Sequence, residues 1–177
     1  MQASSKKSRP DLIMEKLSLK EGDIVADIGS GGGYYSLRFA EAVGKKGLVY
    51  AVDVEQKYLD YVIKKASGKQ VNNICPVLAS GGYLQLPDES VDLFFLRDTF
   101  HDILEPFDYF TNVYRATKPR GRVAVIDFLN NGRSKESRTG HCTDEKRIYE
   151  IMQECGFALA NRYDFLHNKQ SFNIFLK

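Results

Sequence analysis

Asp27-Ile28-Gly29-Ser30-Gly31-Gly32-Gly33-Tyr34 is the stretch that decides the fold. It follows a short apolar run, Ile24–Ile28, and precedes a segment, Tyr34–Val43, with Leu37, Ala40 and Val43 at helical spacing and Gly44 behind it. Glycines between strand and helix let the backbone turn sharply and leave no Cβ in the way of a ligand. A dinucleotide loop starting at Gly29 would need a glycine at its sixth position, where Tyr34 stands. What fits is an acid followed by alternate glycines: Asp27, Gly29, Gly31 and Gly33. An anion at a strand end suits a ligand with cationic groups and repels a pyrophosphate. A tight strand–helix turn without a ligand remains the alternative at this point.

Outward from that loop the pattern repeats. Apolar runs at 47–52, 74–78, 91–96 and 122–128 read as strands, 91–96 apolar on both faces as an interior parallel strand is. Between and around them, 10–19, 56–66, 107–117 and a helix capped by Thr143 and running to Cys155 carry helical periodicity. Two runs, 159–166 and 171–176, flank a polar turn and predict a closing hairpin. Alternating strands and helices predict an α/β fold: a Rossmann-like, doubly wound, mostly parallel seven-stranded sheet with a reversed last strand and helices on both faces. Ligands of such sheets sit beyond the carboxyl ends of the strands. Asp53 ends the second strand, where a carboxylate can accept both hydroxyls of a ribose.

Bulk properties narrow the classes. The chain has 177 residues, 43% of them hydrophobic, which suits a single domain with its own core over 1–177. A net charge of +2 provides no whole-molecule field for nucleic acid. Basic residues gather only at 6–9 and at Arg115, Lys118, Arg120 and Arg122. Cys75, Cys142 and Cys155 lie far apart, so no metal site is expected from spacing. The first ten residues have no apolar core and no run approaches a membrane span, which predicts a cytoplasmic protein with reduced thiols. Residues 1–9 are expected to be flexible. Residues 129–142, polar and rich in turn formers, are expected to form a mobile loop on the substrate side.

The chain resembles the class I methyltransferases that use S-adenosyl-L-methionine (SAM), and especially the small-molecule group containing the ubiquinone/menaquinone C-methyltransferases. The resemblance covers nearly the whole chain. Its first motif matches Asp27–Gly33 and its second Val52-Asp53. The segment entering strand four matches Leu86-Pro87-Asp88-Glu89-Ser90-Val91-Asp92. Thr99-Phe100-His101 and Lys118-Pro119-Arg120-Gly121-Arg122 resemble the segments after strand four and before strand five. The resemblance implies direct (SN2) transfer of a methyl group from SAM to a small-molecule acceptor, leaving S-adenosyl-L-homocysteine. It implies a cofactor site at Asp27, Gly29, Ser30, Gly31, Gly33, Tyr34, Asp53 and Arg97, with Val54 lining the adenine pocket. Relatives carry an acid after strand three to hold the adenine amino group. Here Ala79-Ser80-Gly81-Gly82-Tyr83 has none, and Ser80 or the backbone at Gly81 would substitute.

Methyl transfer needs alignment and the exclusion of water, and a base only when the acceptor holds its proton. The candidates follow strands four and five. His101 is a base, an acceptor-orienting group or a packed strand-end residue. Asp98 holds the cofactor ammonium or the acceptor, or caps a helix. Asp127 lines the same cleft or serves the strand end. His141 and Arg138 belong to the loop that would cover the substrate. Arg97-Asp98-Thr99-Phe100 departs from the motif of amino-group nucleic-acid methyltransferases, and no cysteine follows strand four as in cytosine C5 enzymes. Cys142 alone lacks the thiol set of arsenite methyltransferases. With little chain left for a substrate domain, the reading expects an open cleft, a small acceptor, or a second copy or partner subunit completing the site. Two alternatives stay open: a protein or RNA methyltransferase of the same fold, and a SAM-binding subunit without catalysis.

Overall fold

The structure, a computed structural model, describes residues 9–80, 84–132, 134–167 and 169–177. Seven strands form one sheet in the order β3-β2-β1-β4-β5-β7-β6. In chain order the elements are α1 (Pro10–Leu17), β1 (Ile24–Ile28), α2 (Tyr34–Val43), β2 (Leu48–Asp53), α3 (Gln56–Ser67), β3 (Ile74–Leu78) and β4 (Val91–Arg97). A single 3-10 turn, Phe100–Asp102, leads to α4 (Pro106–Ala116). Then come β5 (Thr117–Phe128), α5 (Lys135–Thr139), α6 (Glu145–Glu154), β6 (Ala158–Tyr163) and β7 (Gln170–Leu176). Strands β1 to β5 pair in parallel, and β7 runs antiparallel to both β5 and β6. This is the expected Rossmann-like sheet with its reversed last strand. The order reverses at β1, which places the carboxyl ends of β1 and β4 side by side at the ligand-binding crevice of this architecture.

Alternation along the strands distributes two cores. Val25, Val49, Leu93 and Phe95 pack with Ile13 and Leu17 of α1 and with Tyr35, Phe39 and Val43 of α2. Ala26, Phe94, Leu96 and Val125 pack on the other face with Phe110 and Val113 of α4 and Ile151 and Met152 of α6. In β4 Leu93, Phe94, Phe95 and Leu96 are all fully buried, as a strand covered on both faces requires. Burial of each contributes roughly 1.5–3 kcal/mol, and together they hold the chain that leads into the site.

Local differences from the sequence reading have local causes. Helix α2 buries Ala40 and Val43 as expected and also Tyr35, Ser36 and Phe39, whereas Leu37 is only half-buried. Asp144 caps α6 through the Lys146 amide, whereas Thr143 donates to Asp127. The turn expected at Lys118–Gly121 persists as a bulge inside β5. The ladder with β4 jumps from Val91–Thr117 to Leu93–Arg122, and Arg120 is left-handed. Residues 129–142 include the short helix α5, capped by the Ser134 hydroxyl. Residues 1–8 of the expected flexible terminus lie outside the described residues. No helix among the described residues is long and apolar enough to cross a membrane.

Candidate active site

The glycine loop takes its shape from close approaches. Gly29 has φ +69°, and a Cβ there would stand 2.3 Å from the Thr99 hydroxyl. Only glycine lets the loop after β1 touch the segment after β4. Gly33, also at φ +69°, would place a Cβ 2.7 Å from Val62 and push α3 off the loop. The Gly29 and Ser30 amides both donate to the Val52 carbonyl, at 2.9 and 3.0 Å. That leaves the Ser30 hydroxyl as the one buried side-chain polar atom without a partner among the described residues. An orphaned buried hydroxyl costs about 1–3 kcal/mol and is a place for a ligand to bind.

Asp53 lies at the end of β2, 8% exposed. One carboxylate oxygen accepts from the Gly31 amide at 2.8 Å and the other from the Glu55 amide at 3.0 Å. A carboxylate has about four acceptor positions, so two remain for a diol. Asp27 behaves differently. It is 3% exposed, and its carboxyl meets the Ser36 hydroxyl at 2.5 Å rather than opening to the cleft. Burial pushes its pKa up to about 7, only partly offset by the Ser36 hydrogen bond.

A cleft of about 660 Å³ opens at these strand ends, a size ordinary for small-molecule sites. Gly29, Asp53 and Val54 line one side, and Asp98, Thr99 and Asp102 the other, with Leu104 and Tyr109 on its walls. A larger depression of about 980 Å³ flanks the amino ends of β2 and β3 beside Lys45, Lys69 and Asn73. It lies away from the crevice where this fold binds ligands.

Across the cleft a second set of groups converges. Asp98, left-handed at φ +55°, accepts from the Gln170 amide, and Arg97 lies 3.6 Å away. Burial raises the Asp98 carboxyl to about 6, and Arg97 opposes the shift. Arg97 itself turns to the Tyr35 hydroxyl and Gln170, on the α2 side of the sheet, and does not line the cleft. His101 is the clearest long-range construction. Its Nδ1 stands 2.8 Å from Asp127, and its backbone amide donates to the other oxygen of the same carboxylate at 3.0 Å. Asp127 also accepts from the Phe128 amide and the Thr143 hydroxyl. Burial raises its pKa, and the His101 hydrogen bond and charge pull it back. In the neutral tautomer that donates Nδ1–H to Asp127, the Nε2 lone pair would point toward Asp102 and the His141 ring.

Of the residues expected from sequence, Gly29, Asp53, Val54 and Asp98 line the cleft, with Ser30 and Gly31 in the loop beneath it. His141 joins His101, while Arg138 folds back on the Gly132 carbonyl. Tyr34 is half-exposed on α2, with Arg38 over its ring, outside the cleft lining. Ser80 is exposed just past β3, where Ala79 reaches the cleft. Gly81 lies outside the described residues. Sequence reasoning missed Thr99 as the partner of Gly29, Ser36 as the partner of Asp27, and Asp102 and Tyr109 as cleft residues. None of these has a local signal, because each depends on how the strand ends and the helices and turns after them pack together.

A family model described as a methyltransferase domain matches residues 26–125, from inside β1 to inside β5. The chain belongs to this methyltransferase family. It is 30% identical over 117 residues to a demethylmenaquinone methyltransferase of Lactobacillus johnsonii, an alignment covering 65% of this chain and 48% of that one. It is 29% identical over 112 residues to an arsenite methyltransferase of Halobacterium salinarum, covering 63% and 29%. The chain thus spans half or less of the length of these relatives. A solved structure of a SAM-dependent methyltransferase from Aquifex aeolicus superposes with TM-score 0.86 at 27% identity, covering 94% of this chain and 88% of that one.

Proposed function

We propose that the protein transfers a methyl group from SAM to a small-molecule acceptor. The observation that carries this reading is the half-used Asp53 carboxylate, which lines the cleft and holds the Gly31 amide of the glycine loop, next to the buried, unpartnered Ser30 hydroxyl of the same loop. Asp53 would take the ribose hydroxyls, Val54 and Ala79 would flank the adenine, and Ser30 with the Gly29–Gly31 backbone would hold the methionine end. Asp27 would act from beneath, through Ser36, as a buried negative charge favoured by a cationic ligand. When bound, SAM supplies an activated methyl on a good leaving group.

The residues of the chain supply alignment and dryness. Leu104 and Tyr109 wall the cleft, and Thr99 against Gly29 fixes the distance between its two sides. Asp98, His101 and His141 are the acceptor-side groups. They orient the acceptor's polar atom and promote loss of its proton where it holds one. The small acceptor is favoured over nucleic acid because three of the four residues of the basic cluster, all but the exposed Arg120, are engaged locally. Arg115 pairs with Asp88, Lys118 with Asp92 at 2.7 Å, and Arg122 binds the Leu17 carbonyl at 2.8 Å. The quinone-type relatives are the better guide to the acceptor than the arsenite enzyme, since the free thiols Cys75 in β3, Cys142 between α5 and α6, and Cys155 just past α6 lie in separate parts of the chain.

Calorimetric titration with SAM and with S-adenosylhomocysteine tests the reading. Micromolar binding of both is expected, and Asp53→Ala should weaken both by about 1–3 kcal/mol. A folded protein that binds neither ligand would overturn it.

A further inference from the structure

His101, Asp102 and His141 present one ligand atom each, all within 4.8 Å of one another. The sequence reading expects no metal site, since no ligand pair shows the usual motif spacing and His141 comes 40 positions after His101. The fold brings them together. The turn after β4 carries His101 and Asp102, and the Thr143 hydroxyl, bonded to Asp127, draws the segment containing His141 against the end of β5. Thr143 also pairs with Leu129 in a short parallel bridge, and its amide donates to the Phe128 carbonyl at 3.3 Å.

We propose that this cluster is a binding site for a divalent first-row transition-metal ion, with two imidazoles and one carboxylate as ligands. Two ligands about 2.1 Å from a tetrahedral ion stand about 3.4 Å apart. His101 Nε2 and Asp102 are 3.7 Å apart and need almost no adjustment. Closing the remaining gaps, none wider than 4.8 Å, takes a shift of at most about 1.4 Å on that geometry, which His141, an exposed residue of the loop, can supply.

An independent feature points the same way. A metal-bound histidine typically donates its other ring N–H to a carboxylate, which sets the tautomer and raises the ligand's basicity. Asp127, fully buried and holding Nδ1 at 2.8 Å, does this for His101 before any ion arrives. Imidazole with carboxylate selects zinc, cobalt, nickel or iron over magnesium or calcium. Three protein ligands leave coordination positions open. Of the three ligands Asp102 lines the cleft, so the ion would lie at its edge. There the ion would bind and polarise an oxygen donor of the acceptor, such as a phenol or enol. That last assignment rests on the methyltransferase reading; the ion site does not.

The test uses chelator-treated protein, with Zn²⁺ and Co²⁺ as the probes. One equivalent of each should bind with micromolar affinity, and Co²⁺ should give the visible spectrum of a nitrogen- and oxygen-ligated ion. His141→Ala and Asp102→Asn, both at exposed positions, should each weaken binding at least tenfold with the circular dichroism spectrum unchanged. Cys142→Ser should bind as the parent does. Failure to bind stoichiometrically, or equal affinity in both ligand variants, overturns the site. So does binding that Cys142→Ser abolishes. S-adenosylhomocysteine titrated into the same protein separates the two readings. If it binds and Zn²⁺ does not, the metal site falls and the methyltransferase reading stands. If Zn²⁺ binds and the nucleoside does not, the reverse holds.

Discussion

Asp27 and Asp127 are both buried carboxylates near the carboxyl ends of neighbouring parts of one sheet, yet they are supported in opposite ways. Asp27, under the glycine loop, is supported by one residue, Ser36, through its hydroxyl and its backbone amide. Asp127, at the end of β5, has two backbone amides, the His101 ring and the Thr143 hydroxyl. Desolvation raises both. At Asp127 the partners recover much of that cost, and the carboxylate becomes the tie that assembles the acceptor side. At Asp27 the cost is largely left standing. A buried acid with so little support weakens the free protein and favours a cationic ligand close by. The two halves of the cleft thus differ in purpose as well as in construction. In the proposed function, one half would store unmet electrostatic demand for the cofactor, and the other uses its charge to hold the chain together.

The largest effect should come from removing the unmet demand. The folded protein keeps a proton on Asp27 up to about pH 7, whereas the unfolded chain releases it near 3.8. Stability from this group is therefore greatest in acid and falls as pH rises from about 4 to about 7, levelling above that. Asp27→Asn should stabilise the ligand-free protein at pH 8 by up to about 4 kcal/mol, with the gain vanishing near pH 4. Urea unfolding at several pH values measures it, and a loss of stability at pH 8 would place Asp27 with Asp127 as a structural tie. Next in size is Gly29→Ala. Left-handed strain of about 1–2 kcal/mol and overpacking of about 1–3 kcal/mol against Thr99 should add to a loss near 3 kcal/mol. It should also spread the two sides of the cleft and weaken S-adenosylhomocysteine binding. A neutral result would mean that the contact between the halves is dispensable. The smallest is Asp127→Asn, expected to destabilise by about 1–3 kcal/mol through its broken polar network. Its affinity for S-adenosylhomocysteine should stay within threefold of the parent. A large loss of affinity in this variant would erase the division between cofactor and acceptor halves.

How much could be read in advance also follows this division. The cofactor half was legible because its parts are backbone events. Gly29, Gly31 and Gly33 lie in one turn, and Asp53 follows at the next strand end, brought beside them by a single β1–β2 pairing. Strand periodicity and helix spacing suffice to place such residues. The acceptor half was legible only as a set of candidates. Asp98 and His101 could be named as residues following a strand, and His141 as a polar loop residue. Which of them touch was not readable, nor that Arg97 turns away to Tyr35. The helix cap shows the same limit on a smaller scale: Thr143 looks like the cap, but Asp127 claims its hydroxyl and Asp144 caps instead.

Sequence alone determined the alternation of strands and helices, the glycine loop with its acid, and Asp53 at the following strand end. These depend on contacts between residues close in the chain and on periodicities of two and 3.6. Only the tertiary structure decided that Thr99 faces Gly29, that Ser36 lies on Asp27, and that Asp127 gathers His101 and Thr143 so that Asp102 and His141 meet. Those contacts depend on sheet order and on how loops close over it. Such pairings are set by burial summed over the whole core, which no local stretch of residues records.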